Sequence, residues 1–339
     1  MNRSKIEWCD HTWNPITGCL HNCPYCYAKR MVTRFAGDVR LNKMANDDYI
    51  TEKGPNGTDI YIMENPLKNE TNHTLVYPFG FEPTFHRYRL NALDKLKMGN
   101  NIFVGAMTDM FGEWVPDEWI EEIFTECKAR PQHNYMFLTK TPERYCALAD
   151  AEKLPKNKNF WYGSTITKKG QAMFDGGIHW NTFISIEPLL ECLDVGLGSF
   201  GCTPWIIIGA ETGNNKGKIV PEREWIENIV ETASITQAAV FMKDSLIPIV
   251  GEENMRRDLP VGLQKQNKSI SPKLQKKLFN DCVICKRHLK KSEMVTLLAR
   301  SKRGRTAKSY AFMCNNCFEQ HCKMIGCTVP DLYREESEE

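Results

Sequence analysis

Short apolar runs recur between residues 75 and 245, and each closes on polar groups. They are LVYPFGFEP (75–83), IFVGAMTD (102–109), YMFLTK (135–140), FWYGST (160–165), TFISIEP (182–188), WIIIGAET (205–212) and AVFMKDS (239–245). Continuous β-branched and aromatic runs of this length predict strands buried on both faces, as in a parallel sheet. Between several of them the apolar period becomes helical. PDEWIEEIFTECKAR sets Trp119, Ile120, Ile123 and Phe124 at helical spacing behind Pro116, and PEREWIENIVETASITQ repeats this with Trp225, Ile226, Ile229 and Val230. TFHRYRLNALDKLKM is a further candidate helix, whereas the segments after the fifth and sixth strands carry little helical patterning. A strand near the N-terminus brings the count to eight. The pattern therefore predicts an α/β fold, either a full (β/α)8 barrel or a partial, open barrel of as few as six strands. Residues 37–74, rich in Asn, Asp and Gly, read as unstructured connector, with a lid as the alternative.

Barrels gather their chemistry at the C-terminal ends of the strands. The polar residues fall there: Glu82, Thr108, Asp109, Thr139, Lys140, Ser164, Thr165, Ser185, Glu187, Glu211, Thr212, Lys243 and Asp244. Any one of them is equally well a turn or helix cap. A whole ring points to a site.

Composition adds that 339 residues, 25% charged and 42% hydrophobic, suffice for one barrel-sized domain and a small appendage. No apolar run approaches the roughly 20 residues of a membrane helix, and the start lacks a signal-peptide core, so the expected location is cytoplasmic. The net charge of +2 is uneven. From Leu263 to Tyr310 there are fourteen Lys or Arg against Asp281 and Glu293, an excess of twelve that leaves −10 for the remainder. The expected organisation is a barrel over 1–262, a basic cysteine-rich module over 263–330 and an acidic tail over 331–339.

Ten of the fourteen cysteines lie in or beside two clusters with metal-ligand spacing. Cys127, Cys146, Cys192 and Cys202 are scattered and read as core residues. In GCLHNCPYCYA, Cys19, Cys23 and Cys26 form C-x3-C-x2-C. Three thiolates from one loop can hold three irons of a [4Fe-4S] cluster and leave the fourth iron open for chemistry. Zinc is the competing metal, with Cys9, His11 or His21 as a fourth ligand. Trp8, Trp13 and Tyr27 around the loop read as shielding or as packing at the barrel mouth.

With Tyr25 before its last cysteine, this loop resembles the signature loop of the radical S-adenosylmethionine (SAM) superfamily. The resemblance implies that Cys19, Cys23 and Cys26 hold a [4Fe-4S] cluster whose open iron binds SAM, which the reduced cluster cleaves to a 5'-deoxyadenosyl radical. Gly80, Phe81, Glu82 and Pro83 are similar to the GGEP element that receives SAM's amino group, with Phe81 in place of the second glycine. IIIGAETG is similar to the strand that touches adenine, making Ile207, Gly209 and Glu211 candidates. Ser185 and Glu187 become ribose or carboxylate partners, and Lys140 a partner for SAM's carboxylate. Thr108, Asp109, Lys140 and Lys243 are the candidate catalytic residues. More closely, SKIEWCDHTWNPITGC, CPYCYA, MTDMFGEWVP, FLTKTPERY, WYGSTIT, FISIEPLL, WIIIGAETG and VFMKDS, in this order over residues 4–245, resemble a family of phage-associated, radical SAM-like proteins of unknown function.

In the C-terminal module, Cys282 and Cys285 pair with Cys314 and Cys317 in a C-x2-C-x28-C-x2-C arrangement. Two such knuckles predict a zinc-ribbon or treble-clef site. An auxiliary iron-sulfur cluster drawing on Cys322 and Cys327 is the alternative. Between the knuckles Arg300, Lys302, Arg303, Arg305 and Lys308, with Tyr310 and Phe312, suit phosphate contact and base stacking. Nucleic acid is therefore the expected partner, and a radical SAM enzyme modifying or repairing it the expected function, with a reducing donor such as flavodoxin or ferredoxin and no membrane. The alternatives are radical SAM chemistry on a peptide or small molecule, and a non-catalytic zinc-dependent nucleic-acid-binding protein.

Overall fold

The structure, a computed structural model, describes residues 3–44, 48–96, 99–193, 200–213, 218–264, 279–281, 288–290, 294–300, 306–314 and 318. The chain divides into two compact units, Met1–Leu263 and Gln264–Glu339.

In chain order the first unit begins with β1 (His11–Trp13), β2 (Ile16–Thr17), α1 (Tyr27–Phe35), α2 (Val39–Lys43), β3 (Ile50–Lys53), β4 (Asp59–Met63) and β5 (Thr84–His86). It continues through β6 (Asn101–Val104), α3 (Asp117–Lys128), β7 (Asn134–Thr139), α4 (Glu143–Asp150), β8 (Phe160–Thr165) and β9 (Asn181–Ile186). Then come β10 (Trp205–Ile208), α5 (Arg223–Ile235) and β11 (Ala239–Met242). Seven strands form one sheet in the order β1-β6-β7-β8-β9-β10-β11, every pair parallel. β1 and β11 are its edges, so the sheet is a half-barrel.

Strand alternation sends successive side chains to opposite faces, and here both faces are buried. On the outer face Ile102, Val104, Tyr135, Phe137, Phe160 and Tyr162 meet Trp119, Ile120, Ile123 and Phe124 of α3 and Tyr145 of α4. Ile184, Ile186, Ile206, Ile208, Val240 and Met242 meet Ile226, Ile229 and Ala233 of α5. On the inner face Phe103, Met136, Trp161, Phe183, Trp205 and Phe241 gather around Trp8. Fully burying a side chain of this size contributes about 1.5–3 kcal/mol. The Trp8 ring lies 4.8 Å from Phe103 on β6, 6.2 Å from Phe183 on β9 and 5.9 Å from Trp205 on β10. β6 and β9 are three steps apart, about 14 Å in a flat sheet, so one indole reaches both only because the sheet curls. Gly163 makes room for this filling, since a Cβ there would sit 2.3 Å from the Phe183 ring.

Four sequence expectations are corrected, one of them that the scattered cysteines are core residues: Cys127 is buried, but Cys192 is half-buried and Cys146 and Cys202 are exposed. Residues 75–83 form turns rather than a strand, because Pro78 and Pro83 remove backbone donors and Gly80 adopts φ 64°. The main sheet accordingly has seven strands instead of eight. The candidate helix that follows begins as β5 and continues as a 3-10 helix, Arg87–Lys95. The stretch 37–74 is structured: it contains α2, β3 and β4, and the last two join β5 and β2 in a second sheet, β2-β5-β4-β3. As the patterning suggested, no helix occurs between β8 and β9.

In the second unit β12 (Phe279–Asp281) pairs antiparallel with β13 (His288–Lys290), and β14 (Met294–Arg300) with β15 (Thr306–Cys314). Among the described residues no helix is long and apolar enough to cross a membrane.

Candidate active site

A cavity of about 370 Å³ opens at the C-terminal ends of the parallel strands, above the Trp8 and Phe103 floor. One wall is the cysteine loop, which contributes Cys19, Cys23 and Cys26 together with His21 and Tyr25. Around the rest of the rim stand Thr108 and Asp109 after β6, Thr139 and Lys140 at the end of β7, and Thr165 of β8. Ser185 follows on β9 and Glu187 just after it, Glu211 and Thr212 after β10, and Lys243 after β11. The three cysteines therefore share one cavity with ten of the thirteen residues expected at the strand ends; Glu82, Ser164 and Asp244 do not line it, Ser164 Oγ accepting from Phe174 N–H and Asp244 pairing with Arg257.

The loop is fastened by its backbone. Gly18 adopts φ 90°, and a Cβ there would sit 2.2 Å from the carbonyl oxygen of Glu82 and 2.8 Å from that of Phe81. Only glycine permits that approach. Cys19 N–H donates to Phe81 O (3.2 Å), Gly18 N–H to Met107 O (3.0 Å), and Thr108 Oγ1 to Gly18 O (2.6 Å). Asp109 is buried beneath the loop and accepts from four donors: His21 Nε2 (2.8 Å), Thr139 Oγ1 (2.8 Å), Lys140 N–H (2.8 Å) and Phe111 N–H (3.1 Å). Thr108 and Asp109 thus act as positioning residues that anchor the loop to β6 and β7. His21, weighed as a zinc ligand, is held by Asp109 and stacks edge-on against Trp114 at 5.0 Å.

Cys26 caps α1, its Sγ accepting from Lys29 N–H at 3.4 Å. Burial, reinforced by the charge of Asp109, pushes the Cys19 thiol up to about 12. A thiolate there needs a cation beside it. Among the described residues no three His, Cys, Asp or Glu side chains converge on a single ion. A cubane cluster does not require convergence, because each thiolate holds a different iron. Cys9 does not line the cavity, and burial pushes its thiol up to about 11.

The opposite wall is polar and less committed. Lys243 forms an ion pair with Glu187, and Gly209 lies against that pair, where a Cβ would be 3.1 Å from the Lys243 side chain and 3.3 Å from that of Glu187. Gly209 does not itself line the cavity. Glu211 lines the cavity, and among the described residues its buried Oε2 has no hydrogen-bond partner. Lys140 Nζ rests over the Tyr25 ring at 5.4 Å.

Three residues of the GFEP turn stand apart from the expectation. Gly80, Glu82 and Pro83 do not line the cavity, whereas Phe81 does. The Glu82 carboxylate is held by Lys43 Nζ at 2.9 and 2.8 Å. Burial opposes the charge on Lys43, but Glu82 and Tyr61 outweigh it and raise the ammonium above its ordinary value. Lys43 lay in a stretch read as connector, which is why sequence reasoning missed it. The aromatic floor was legible in principle: Phe103, Met136, Trp161, Phe183 and Trp205 alternate with residues of the outer face. Cys282, Cys285 and Cys317 lie outside the described residues, and Cys314 ends β15.

Fold and site together define an open parallel α/β half-barrel with one cavity at its strand ends. The chain belongs to the family described as Protein of unknown function (DUF5131), whose model matches residues 3–246 and so spans every residue lining the cavity. No match was found among curated proteins or among solved structures.

Proposed function

We propose that this protein is a radical SAM enzyme acting on nucleic acid. The observation that carries the reading is that Cys19, Cys23 and Cys26 share one cavity with the Glu187–Lys243 pair, Lys140 and Glu211. The three cysteines would hold a [4Fe-4S] cluster, and cluster and SAM together, when bound, supply hydrogen-atom abstraction. The residues do the rest. Thr108 and Asp109 fix the loop; Lys140 pairs with the ligand's carboxylate; Glu211 Oε2 accepts from a ligand N–H or O–H; Ser185 and Glu187 stand beside it. The Trp8–Phe103 floor excludes water from below. Glu82 is assigned to Lys43, so the amino-group contact expected from the turn passes to the carboxylates of the opposite wall.

The second unit supports a zinc module that docks the polymer. Cys282, Cys285 and Cys317 lie outside the described residues, and Cys314 ends β15. Two C-x2-C knuckles suit tetrahedral thiolate coordination, and one structural zinc would contribute about 10–16 kcal/mol to folding. The basic run Lys302, Arg303 and Arg305 lies in sequence between β14 and β15, outside the described residues.

Anaerobic reconstitution with iron, sulfide and SAM under reduction tests the reading. The expected product is 5'-deoxyadenosine, abolished in Cys26→Ala, and its absence from protein with an intact cluster overturns the assignment. Metal analysis is expected to give about four irons and one zinc per chain.

A further inference from the structure

Helix α1 lines the cavity through Tyr27 and Ala28, and the charge of α1 and α2 differs from that of the rest of the first unit. Residues 1–262 carry twenty-eight Lys and Arg against thirty-four Asp and Glu. Helices α1 and α2 reverse that balance: Lys29, Arg30, Arg34, Arg40 and Lys43 face only Asp38. Lys43 is taken by Glu82 and Lys29 donates to Asn22 (2.7 Å), whereas Arg40 is almost fully exposed, 3.7 Å from Asp38. The inner faces of the two helices are occupied, with Ala28, Val32 and Ala36 packing with Val39 and Met107. Among the exposed charged residues of the two helices stand large apolar ones: Met31 is 41% exposed, Phe35 57%, Leu41 63% and, capping the end of α2, Met44 75%. Four large exposed apolar side chains on and beside two short helices, interspersed with arginines, mark a contact surface rather than a solvated face.

Position narrows the occupant. Helix α1 starts right after Cys26, whose sulfur caps it, and Tyr27 lines the cavity. Nine residues at about 1.5 Å each put all of α1 within about 13 Å of that cysteine. Methionine and leucine side chains suit a protein surface better than phosphates or stacked bases.

We infer that the outer face of α1 and α2 is the docking surface for an acidic, low-potential electron-carrier protein, flavin- or iron-sulfur-based, whose apolar centre meets Met31, Phe35, Leu41 and Met44 while its carboxylates meet Arg34 and Arg40. This rests on the cluster reading above. The carrier is oxidised by one electron, and the cluster held by Cys19, Cys23 and Cys26 is reduced by that electron from the 2+ to the 1+ state. No proton or group moves. Encounters of this kind are small, charge-steered and weakened by salt.

The test uses the full-length, anaerobically reconstituted protein with purified reduced flavodoxin as the probe. Two double variants remove the charges and the apolar centre separately, Arg34→Glu with Arg40→Glu and Met31→Ser with Phe35→Ser; circular dichroism checks that both remain folded. Titration calorimetry at low salt is expected to show flavodoxin binding weakened about tenfold or more in each. Stopped-flow spectroscopy is expected to show carrier-driven cluster reduction slowed to match, with dithionite-driven reduction unchanged. Unchanged flavodoxin binding and reduction in both folded variants overturns the docking surface. So does unchanged flavodoxin binding alongside lost binding of a single-stranded oligonucleotide, or loss of a self-association that the wild type shows. If dithionite reduces no iron bound by the cysteine loop, the cluster reading itself fails.

Discussion

On the side of the cavity built from the cysteine loop, β6 and β7, the key polar groups are engaged by the protein itself. Asp109 takes four donors, Thr108 is bound to the Gly18 carbonyl, and Gly18 is wedged against the Glu82 backbone. On the side built from β9, β10 and β11, Glu187 and Lys243 hold each other, and Glu211 keeps a buried oxygen without a partner among the described residues. Saturated polar networks rigidify, and unsatisfied ones mark where a ligand supplies the missing partner. The first side is built to hold a loop still, the second to receive something.

Substitutions on the two sides should therefore fail in different ways. The largest effect is expected from Asp109→Ala, which leaves buried donors from three segments unpaired and should destabilise the first unit by about 3 kcal/mol in denaturant unfolding. Gly18→Ala follows, at about 2–3 kcal/mol from the left-handed backbone and the contact with Glu82, accompanied by loss of metal from the loop. A fall in stability with iron retained would show that the loop is not seated by this glycine. On the other side, Lys243→Met breaks a partly exposed pair and should change stability by less than about 1 kcal/mol. Calorimetry should instead show SAM binding weakened by about tenfold, the size of one charged contact. Smallest in unfolding is Glu211→Gln, expected to be neutral or stabilising by up to about 1 kcal/mol because it replaces a carboxylate that has one buried oxygen unpartnered among the described residues, while still weakening SAM binding. Clear destabilisation by Glu211→Gln would mean that this carboxylate has a structural role and would dissolve the contrast between the two sides.

The same contrast explains what could be read from the sequence. The strands at 101–104, 134–139, 160–165, 181–186, 205–208 and 239–242 announce themselves because burial on both faces demands unbroken apolar runs, and the receiving side follows from the polar residues that end them. The holding side depends on contacts between segments far apart in the chain: His21 with Asp109, Gly18 with Glu82, Lys43 with Glu82. Nothing in local periodicity encodes these. Glu82 illustrates the point, since its motif marked it as a ligand contact while Lys43, in a stretch without apolar rhythm, turns it away. Residues 75–83 misled for a different reason, because an apolar run interrupted by Pro78, Gly80 and Pro83 satisfies the composition of a strand but not its hydrogen bonding.

The central claim is that the cysteine loop holds a cluster with one iron open to SAM. The most direct measurement compares wild type with a Cys19→Ala, Cys23→Ala, Cys26→Ala triple variant after anaerobic reconstitution, by iron content and by electron paramagnetic resonance of the reduced protein with and without SAM. The account predicts a difference of about four irons per chain and a wild-type signal that shifts on adding SAM. Equal iron in both proteins, zinc at the loop, or a loop-dependent signal indifferent to SAM would contradict it.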